Sequence, residues 1–218
     1  MNLYYLTPLI LQKIIWIQTR LILNFFLRLK VEGLDNLKDI PKNAIFASNH
    51  VSELDPIIIP ASLPFFSRFS PMFYATLPTS EYTNSSWRQI FYGGTLFKLW
   101  GGHLVYIGLK NYAKSLVNHI KLLKDGKSIV VFPEGQITPN GFLQPARGGV
   151  AYLAEVSGCP IVPVSISGVY GISNKEFFLR KRWVRICFGK PVYSVDIKGV
   201  DYKTKASFVY EKIKQLST

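Results

Sequence analysis

The sequence is poor in the residues that bind metal ions and form disulfides. Its 218 residues include two cysteines, Cys159 and Cys187, and only three histidines. The cysteines lack the spacing of a zinc site, and no second cluster of Cys, Asp or Glu accompanies the histidines, so we expect neither a metal ion nor a cofactor. Cys187 falls in the strand-like segment WVRICFG, where a small buried thiol fits. Free thiols in a reducing compartment are therefore the prediction, and a disulfide is the alternative.

Acidic residues are also scarce. There are 13 Asp and Glu against 26 Lys and Arg, which gives a formal net charge of +13. This excess predicts a polyanionic partner, namely nucleic acid, an anionic lipid surface or an acidic or phosphorylated substrate. The absence of a helix-turn-helix, an RNA-binding aromatic platform and zinc spacing argues against nucleic acid. Hydrophobic residues make up 48% of the chain and charged residues only 18%, which excludes disorder and favours one sizeable domain.

The first thirty residues are apolar but lack a long unbroken hydrophobic run. Polar residues interrupt them at Gln12, Lys13, Gln18, Arg20, Asn24, Arg28 and Lys30. No run therefore approaches the roughly 20 apolar residues of a spanning helix, and the pattern does not fit a secretory signal. Lys13, Arg20, Asn24 and Arg28 fall on one helical face, with apolar side chains around the rest. We predict that residues 1–30 form an amphipathic, membrane-associating helical segment; the alternative is a helix that packs on its own domain.

The remainder, residues 31–218, alternates short apolar runs with longer amphipathic segments. This alternation predicts an α/β domain with a mixed, mostly parallel sheet flanked by helices. Candidate strands cover residues 44–48, 72–76, 103–107, 128–132, 161–167 and 183–188. Candidate helices cover residues 52–62, 86–99, 111–124, 147–157 and 202–216. Of the other two histidines, His119 borders the apolar face of its helix and is predicted to lie at the surface, and His103 to have a local structural role.

The segment NHVSELDP, residues 49–56, follows the first of these strands. Ser52 and Asp55 have the spacing of a helix start, which places His50 in the turn and Asp55 in the first helical turn. A carboxylate that holds one imidazole nitrogen leaves the other free to accept a proton from a hydroxyl. His50 as base and Asp55 as its partner fit this chemistry, and because no GxSxG-type nucleophile motif is present, the hydroxyl would belong to a substrate. Taken alone, the pair is weak evidence, since such spacing arises by chance.

A second segment, FPEGQIT, residues 132–138, follows another predicted strand. Its Pro-Glu-Gly turn would bring Glu134 and backbone amides to the sheet edge where a site forms, although an ordinary strand-to-loop turn has the same pattern. Arg147 begins the next predicted helix, whose amino end favours an anion.

In this order, NHVSELDP, FPEG and IVPVSISG resemble the glycerolipid acyltransferase family that includes 1-acylglycerol-3-phosphate acyltransferases. The resemblance implies an α/β domain that transfers an acyl group from acyl-CoA or acyl carrier protein to a glycerolipid hydroxyl. It also implies that His50 is the general base, that Asp55 is its partner, and that Glu134 and Gly135 lie in the block associated with acceptor binding. We expect Asn49 and Ser52 of the first block to contact substrate, and amides near Gly135 to stabilise the oxyanion.

Two departures from the family pattern concern the acceptor phosphate. Ile137 stands where the family usually has an arginine, and Gly108 lies near the position of a second arginine. Lys110 and Arg147 are the candidate replacements. We expect a lysophospholipid acceptor, namely 1-acylglycerol-3-phosphate, at the cytoplasmic face of a membrane; a zwitterionic lysophospholipid or an aminolipid is the alternative. A non-catalytic protein that binds anionic membranes is the remaining hypothesis. The basic run at residues 179–183 is predicted to be a solvated loop, with contact to acidic head groups or an acidic carrier protein as the alternative.

Overall fold

Seven strands form one mixed sheet in the computed structural model, which describes residues 3–76, 95–106, 109 and 111–217. The strands are β1 (Lys30–Glu32), β2 (Ile45–Ser48), β3 (Met72–Thr76), β4 (Gly102–Leu104), β5 (Ser128–Val131), β6 (Ile161–Ser167) and β7 (Arg185–Phe188). Their order is β1-β7-β6-β2-β5-β3-β4, and every neighbouring pair is parallel except β6 and β7. The predicted fold class is confirmed, and each of the six predicted strands is present. The strand predicted over residues 103–107 ends earlier, at Leu104, and residue 107 lies outside the described residues.

The helices are α1 (Leu3–Leu27), α2 (Asp55–Ser62), α3 (Thr95–Trp100), α4 (Tyr112–Ser115), α5 (Val117–Lys124), α6 (Gly149–Ser157), α7 (Asn174–Phe178) and α8 (Tyr202–Gln215). The single helix predicted over residues 111–124 is wrong, because the chain leaves the helical conformation at Leu116. There the Ser115 carbonyl accepts the Tyr106 amide at 3.1 Å instead of continuing the helix. Most of the helix predicted over residues 86–99 lies outside the described residues.

The parallel strands bring several functional segments to one edge of the sheet. β2, β5 and β6 all end there, so His50, Glu134 and Gly168 follow strands at the same edge. We call this the carboxyl edge. β1 and β7 run in the opposite direction, so the start of β1 also lies at this edge: Lys30 pairs with Arg185, which pairs with Ser167 at the end of β6.

Alternate side chains of the strands pack into two hydrophobic cores, one on each face of the sheet. Phe46 packs on the face that carries α1 and α2, whereas its neighbours Ile45 and Ala47 pack on the face that carries α5, α6 and α8. Both faces are covered, which is why these strands read as continuous apolar runs in the sequence.

Helix α1 packs on the domain through polar as well as apolar side chains. The buried Gln12 donates to the carbonyls of Met72 and Trp100, at 2.7 and 2.9 Å, and accepts the Met72 amide at 2.9 Å. The indole of Trp16 donates to the Leu63 carbonyl at 2.9 Å. Near its end the helix contributes Leu23 and Leu27 to the core.

The opposite face of α1 is apolar and exposed. Ile10, Ile14, Ile17, Leu21 and Phe25 are all roughly half exposed or more, and their spacing places them on one side of the helix. We call this row the α1 ridge. By length and composition, residues Tyr5–Leu27 suffice to cross a membrane, and α1 is the one such helix in the described part of the chain. Two residues of the predicted cationic face lie beside the domain: Arg20 donates to the Ala61 carbonyl at 3.1 Å, and Lys13 lies 4.6 Å from the Phe65 ring centroid. Asn24 and Arg28 of the same face are exposed.

Candidate active site

The turn after β2 is fastened to β6 by Asn49. The Asn49 side chain donates to the Ile166 carbonyl and accepts the Ile166 amide, both at 2.8 Å, and is buried. This pair joins residues that are 117 positions apart and fixes the place where the chain leaves β2. The side-chain amide of Asn49 is thus already hydrogen-bonded within the fold.

His50 and Asp55 come together as the sequence predicts. The distance from His50 Nδ1 to Asp55 Oδ2 is 2.9 Å, and the Asp55 side chain is completely buried. The same carboxylate oxygen accepts the amides of Val51 at 2.7 Å and Ser52 at 2.9 Å. The turn therefore wraps around the carboxylate and holds it beneath the imidazole.

The predicted helix start at Ser52 is wrong, although Asp55 does lie in the first helical turn. Helix α2 begins at Asp55, and the Ser52 hydroxyl accepts the Leu54 amide at 3.2 Å without capping the helix. The Asp55 carboxylate accepts the amides of the preceding turn, which keeps residues 51–54 out of the helix.

The environment of Asp55 favours one tautomer of His50. Burial raises the pKa of Asp55 above its ordinary value, while its bonds to His50 and to the amides of Ser52 and Val51 favour the charged form. Since Asp55 Oδ2 receives two amide N–H groups, the geometry favours a proton on His50 Nδ1 that is donated to the same oxygen. His50 Nε2 makes no hydrogen bond with the described residues and is the nitrogen left to accept a proton.

Phe132 and Glu134 hold His50 from the neighbouring strand. The His50 ring stacks on the Phe132 ring, with centroids 4.0 Å apart and planes inclined by 16°. Glu134 Oε1 accepts the His50 amide at 3.0 Å, and Glu134 Oε2 accepts the Gln144 amide at 3.0 Å. The Thr138 amide in turn donates to the His50 carbonyl at 2.8 Å. The buried Glu134 therefore connects the two sequence motifs through the backbone of the histidine.

Arg147 covers Gly135. Gly135 has φ +74°, and a Cβ built there would lie 2.8 Å from Arg147 Cζ. Arg147 is exposed, lies two residues before α6, and has no ion-pair partner in the described part of the chain. The Gly135 amide donates to the Phe132 carbonyl at 2.9 Å. Contrary to the expectation from the sequence, this amide is therefore not free to bind an oxyanion. Lys110, the other candidate cation, and Gly108 lie outside the described residues.

An open cavity of about 260 Å³ lies beside the residues that flank His50. Its lining combines loop and strand residues and is mostly apolar: Val51, Phe142, Leu143, Ile166 and Tyr170, with Asn49 beside them. Apart from Asn49, sequence reasoning missed these residues, and it also missed Phe132. Three of them carried a signal, because Val51, Phe132 and Ile166 lie within the NHVSELDP, FPEG and IVPVSISG segments.

The remaining histidines lie close together, with His119 buried and His103 partly buried. His119 is completely buried, so its predicted surface position is wrong, and its ring centroid lies 6.2 Å from that of His103. Burial, together with the nearby His103, lowers the pKa of His119 to about 4. Cys159 and Cys187 are buried free thiols.

Residues 28–167, well over half of the chain, match the sequence model of the acyltransferase family. The chain is 25% identical over 170 residues to the chloroplastic 1-acyl-sn-glycerol-3-phosphate acyltransferase BAT2 of Brassica napus, which covers 77% of this chain and 46% of that protein. It is 26% identical over 194 residues to a probable 1-acyl-sn-glycerol-3-phosphate acyltransferase of Mycoplasma pneumoniae, which covers 83% of this chain and 68% of that protein. The chain thus spans less than half the length of the plant relative.

The fold also resembles that of a solved structure. The crystal structure of the 1-acyl-sn-glycerophosphate (LPA) acyltransferase PlsC from Thermotoga maritima aligns with a TM-score of 0.66 and 21% identity. The alignment covers 96% of this chain and 78% of the Thermotoga protein. On the family match and the shared fold, the chain belongs to the acyltransferase family.

Proposed function

We propose that the protein transfers a fatty acyl group from a thioester, acyl-CoA or acyl carrier protein, to the free hydroxyl of 1-acylglycerol-3-phosphate, which yields phosphatidic acid. The observation that carries this proposal is the imidazole of His50, which Asp55 holds at 2.9 Å while Nε2 makes no hydrogen bond with the described residues. The names of the Brassica and Mycoplasma relatives support the choice of acceptor.

In the proposed reaction, His50 Nε2 removes the proton of the acceptor hydroxyl as its oxygen attacks the thioester carbonyl. The buried Asp55 stabilises the imidazolium that forms. The tetrahedral intermediate then expels the thiolate, which takes the proton from His50, so the base is regenerated. The thioester is a co-substrate, and the reaction requires no other cofactor.

We propose Arg147 as the group that binds the acceptor phosphate. Its guanidinium lies over Gly135 at the carboxyl edge and has no acidic partner among the described residues. An unpaired guanidinium beside the base can form a bidentate, charge-assisted contact with phosphate. Lys110 remains a second candidate. The exposed Ile137, in place of an arginine, favours the alternative acceptors, a zwitterionic lysophospholipid or an aminolipid.

We propose different roles for the other predicted substrate-binding residues. Asn49 and Glu134 are buried and bonded to backbone groups, and Ser52 supplies an amide to Asp55. These three residues therefore position the base. The mostly apolar cavity beside Val51 and Phe142 suits part of a hydrocarbon chain.

The α1 ridge supports association with a membrane, where both lipid substrates reside. Five large apolar side chains on one side of a helix are better accommodated in a bilayer interface than in water. Because the opposite side of α1 packs on the domain, we propose that the helix lies in the interface. Two free thiols fit the reducing cytoplasmic side.

The test is thiol release from a long-chain acyl-CoA by the detergent-solubilised protein in the presence of 1-acylglycerol-3-phosphate. We expect release to require the lyso-lipid and to fall at least about 10²-fold in His50→Ala with an unchanged melting temperature. Release that persists in folded His50→Ala would refute the assignment of the base. If acyl-CoA is inactive, acyl-acyl carrier protein and the alternative acceptors are compared next. Failure of every donor and acceptor would favour the non-catalytic membrane-binding hypothesis.

A further inference from the structure

Two arginines adopt a backbone conformation that favours glycine. Among the described residues, Arg28 (φ 44°) and Arg180 (φ 55°) are the only non-glycine residues with positive φ. Arg28 follows the last residue of α1, and Arg180 lies two residues after the end of α7. A side chain in this region is sterically unfavourable, whereas glycine adopts it freely.

The end of α7 has the hydrogen bonds of a Schellman motif. The Arg180 amide donates to the Phe177 carbonyl at 3.0 Å, and the Lys181 amide donates to the Glu176 carbonyl at 2.9 Å. Glycine is the usual residue at the position of Arg180 in this motif. The hydrogen bonds of the motif therefore give no reason to prefer arginine there, apart from a weak interaction with the end of a five-residue helix.

The two helix ends meet through aromatic side chains. Phe26 of α1 stacks on Phe177 with ring centroids 4.7 Å apart, and Arg180 Cζ lies 4.5 Å from the centroid of Phe25. The α1 ridge, which ends at Phe25, is thus continuous with residues 177–183, which we call the α7 lobe.

The α7 lobe exposes apolar side chains beside unpaired cations. Phe178, Leu179 and Trp183 are 67%, 55% and 54% exposed. Within the lobe, Arg182 pairs with Glu176 at 3.0 Å. Arg28, Arg180 and Lys181 have no acidic partner among residues the structure describes. Exposed aromatic and aliphatic side chains together with free cations are the composition that suits the head-group region of an anionic bilayer.

Hydrogen bonds link the lobe to the loop that bonds to the His50 backbone. Arg182 donates to the Tyr170 carbonyl at 3.4 Å, and the Tyr170 hydroxyl donates to the Pro139 carbonyl at 2.8 Å. Pro139 follows Thr138, whose amide donates to the His50 carbonyl. The α7 lobe therefore lies at the same sheet edge as the candidate base, and a partner that binds the lobe would face this edge.

We propose that Arg28 and the α7 lobe form an interfacial anchor that binds the surface of an anionic phospholipid bilayer and holds the carboxyl edge toward it. The anchor goes beyond the proposed acyl transfer and does not depend on it. A bilayer suits this surface better than an acidic carrier protein does, because large apolar side chains are exposed between the cations and continue into the α1 ridge. The net charge of +13 adds long-range attraction to such a surface.

The test uses the double variant Arg28→Gly/Arg180→Gly. Since glycine suits both backbone positions, we expect a melting temperature at least equal to that of the unmodified protein. Partitioning to vesicles of equal parts phosphatidylcholine and phosphatidylglycerol should fall about 25-fold, roughly fivefold for each cation. Partitioning to pure phosphatidylcholine vesicles, which depends on the α1 ridge, should change little.

The matched control is Lys42→Gly/Lys190→Gly, which removes the same charge from exposed residues at the opposite edge, where β2 begins and β7 ends. The control should retain most of the binding to anionic vesicles. Anionic vesicles should also shift the emission of Trp183 to shorter wavelength, as judged by difference from Trp183→Phe. Equal losses in both double variants, or no loss in the arginine variant, would overturn the proposal. Loss of acyl carrier protein binding with intact vesicle binding would overturn it as well.

Discussion

Glu134 and His50 are joined by one hydrogen bond across 84 positions of sequence: Glu134 Oε1 accepts the His50 amide at 3.0 Å. The second oxygen of Glu134 accepts the Gln144 amide, so one buried carboxylate fixes two loops at the carboxyl edge. From this arrangement we propose that Glu134 positions His50, the candidate base, and does not contact the acceptor.

Glu134→Gln tests this positioning role. Glutamine has one acceptor oxygen, so its NH₂ group would face one of the two backbone amides and displace a loop. We expect kcat to fall roughly 10- to 100-fold, because the base moves from its reactive position, while the KM for the acceptor changes little. An increased acceptor KM with unchanged kcat would instead indicate the direct acceptor contact that the family resemblance implies.

Asp55→Asn should remove most of the activity while the protein stays folded. Asparagine can place its oxygen where Asp55 Oδ2 accepts three N–H groups, but its neutral amide cannot stabilise the imidazolium that forms, and its NH₂ group would lie buried where Asp55 Oδ1 has no hydrogen-bond partner. We expect kcat to fall about 10³- to 10⁴-fold, as for the corresponding aspartate of serine proteases. Steady-state thiol release and far-UV circular dichroism measure the two effects. Ser52→Ala, which removes only a hydroxyl of the same turn, serves as the control; equal losses in both variants would contradict the special role of Asp55.

Arg147→Ala should weaken binding of a phosphate-bearing acceptor. A charge-assisted contact contributes about 1.5–3 kcal/mol, so we expect the KM for 1-acylglycerol-3-phosphate to rise on the order of 10- to 100-fold. The KM for monoacylglycerol, which lacks the phosphate, should not change. Addition of Ile137→Arg to this variant should restore part of the affinity, because it supplies a guanidinium at an exposed position two residues after Gly135. Equal effects on both acceptors would show that Arg147 does not bind the phosphate.

Gln12→Leu should destabilise the docking of α1. Leucine leaves the Met72 amide and the carbonyls of Met72 and Trp100 without their partner in a buried place. We expect the free energy of unfolding to fall by roughly 3 kcal/mol, measured with urea in detergent. Gln18→Leu changes an exposed glutamine of the same helix and serves as the control. It should alter the free energy of unfolding by less than about 0.5 kcal/mol. Similar losses in the two variants would mean that the helix is held by its apolar contacts alone.

His119→Leu should change how stability depends on pH. The pKa of His119 is about 4 in the folded protein and 6.5 in an exposed histidine, so the unfolded chain binds more protons between these values. Stability therefore falls as the pH falls from 6.5 to 4, by roughly 3 kcal/mol from this residue. Urea titrations at several pH values measure this dependence of the free energy of unfolding on pH. The leucine variant should lose the contribution of His119, whereas His50→Ala should retain it. An unchanged slope in the leucine variant would show that His119 is not buried in its neutral form.

The strands could be predicted because they are short apolar runs covered on both faces, which the sequence displays directly. β1 was missed because three residues, Lys30–Glu32, carry too little pattern to distinguish a strand from a loop. The error at His119 has a specific cause. The break at Leu116 changes the phase of the helical face, so His119 turns inward with Leu122 and Leu123.

The site was predictable where its partners are close in sequence. His50 and Asp55 lie within one turn, and the strand before them indicates how the turn is formed. The pairs Asn49–Ile166 and Glu134–His50 join distant segments, so only the sheet order reveals them. Arg147 was a candidate by charge, but its position over Gly135 depends on the left-handed turn that brings the two together.

Through helix α1, the stability of the fold depends on whether the protein is bound to a membrane. The same 25 residues carry the exposed ridge and the buried side chains of Gln12 and Leu27, so a bilayer that binds the docked helix more tightly than the unfolded chain favours the folded protein. By mass action, such a ligand stabilises the folded state in proportion to the logarithm of its concentration. The lipid content of the surroundings would then determine how much of the protein is folded, as well as where it resides.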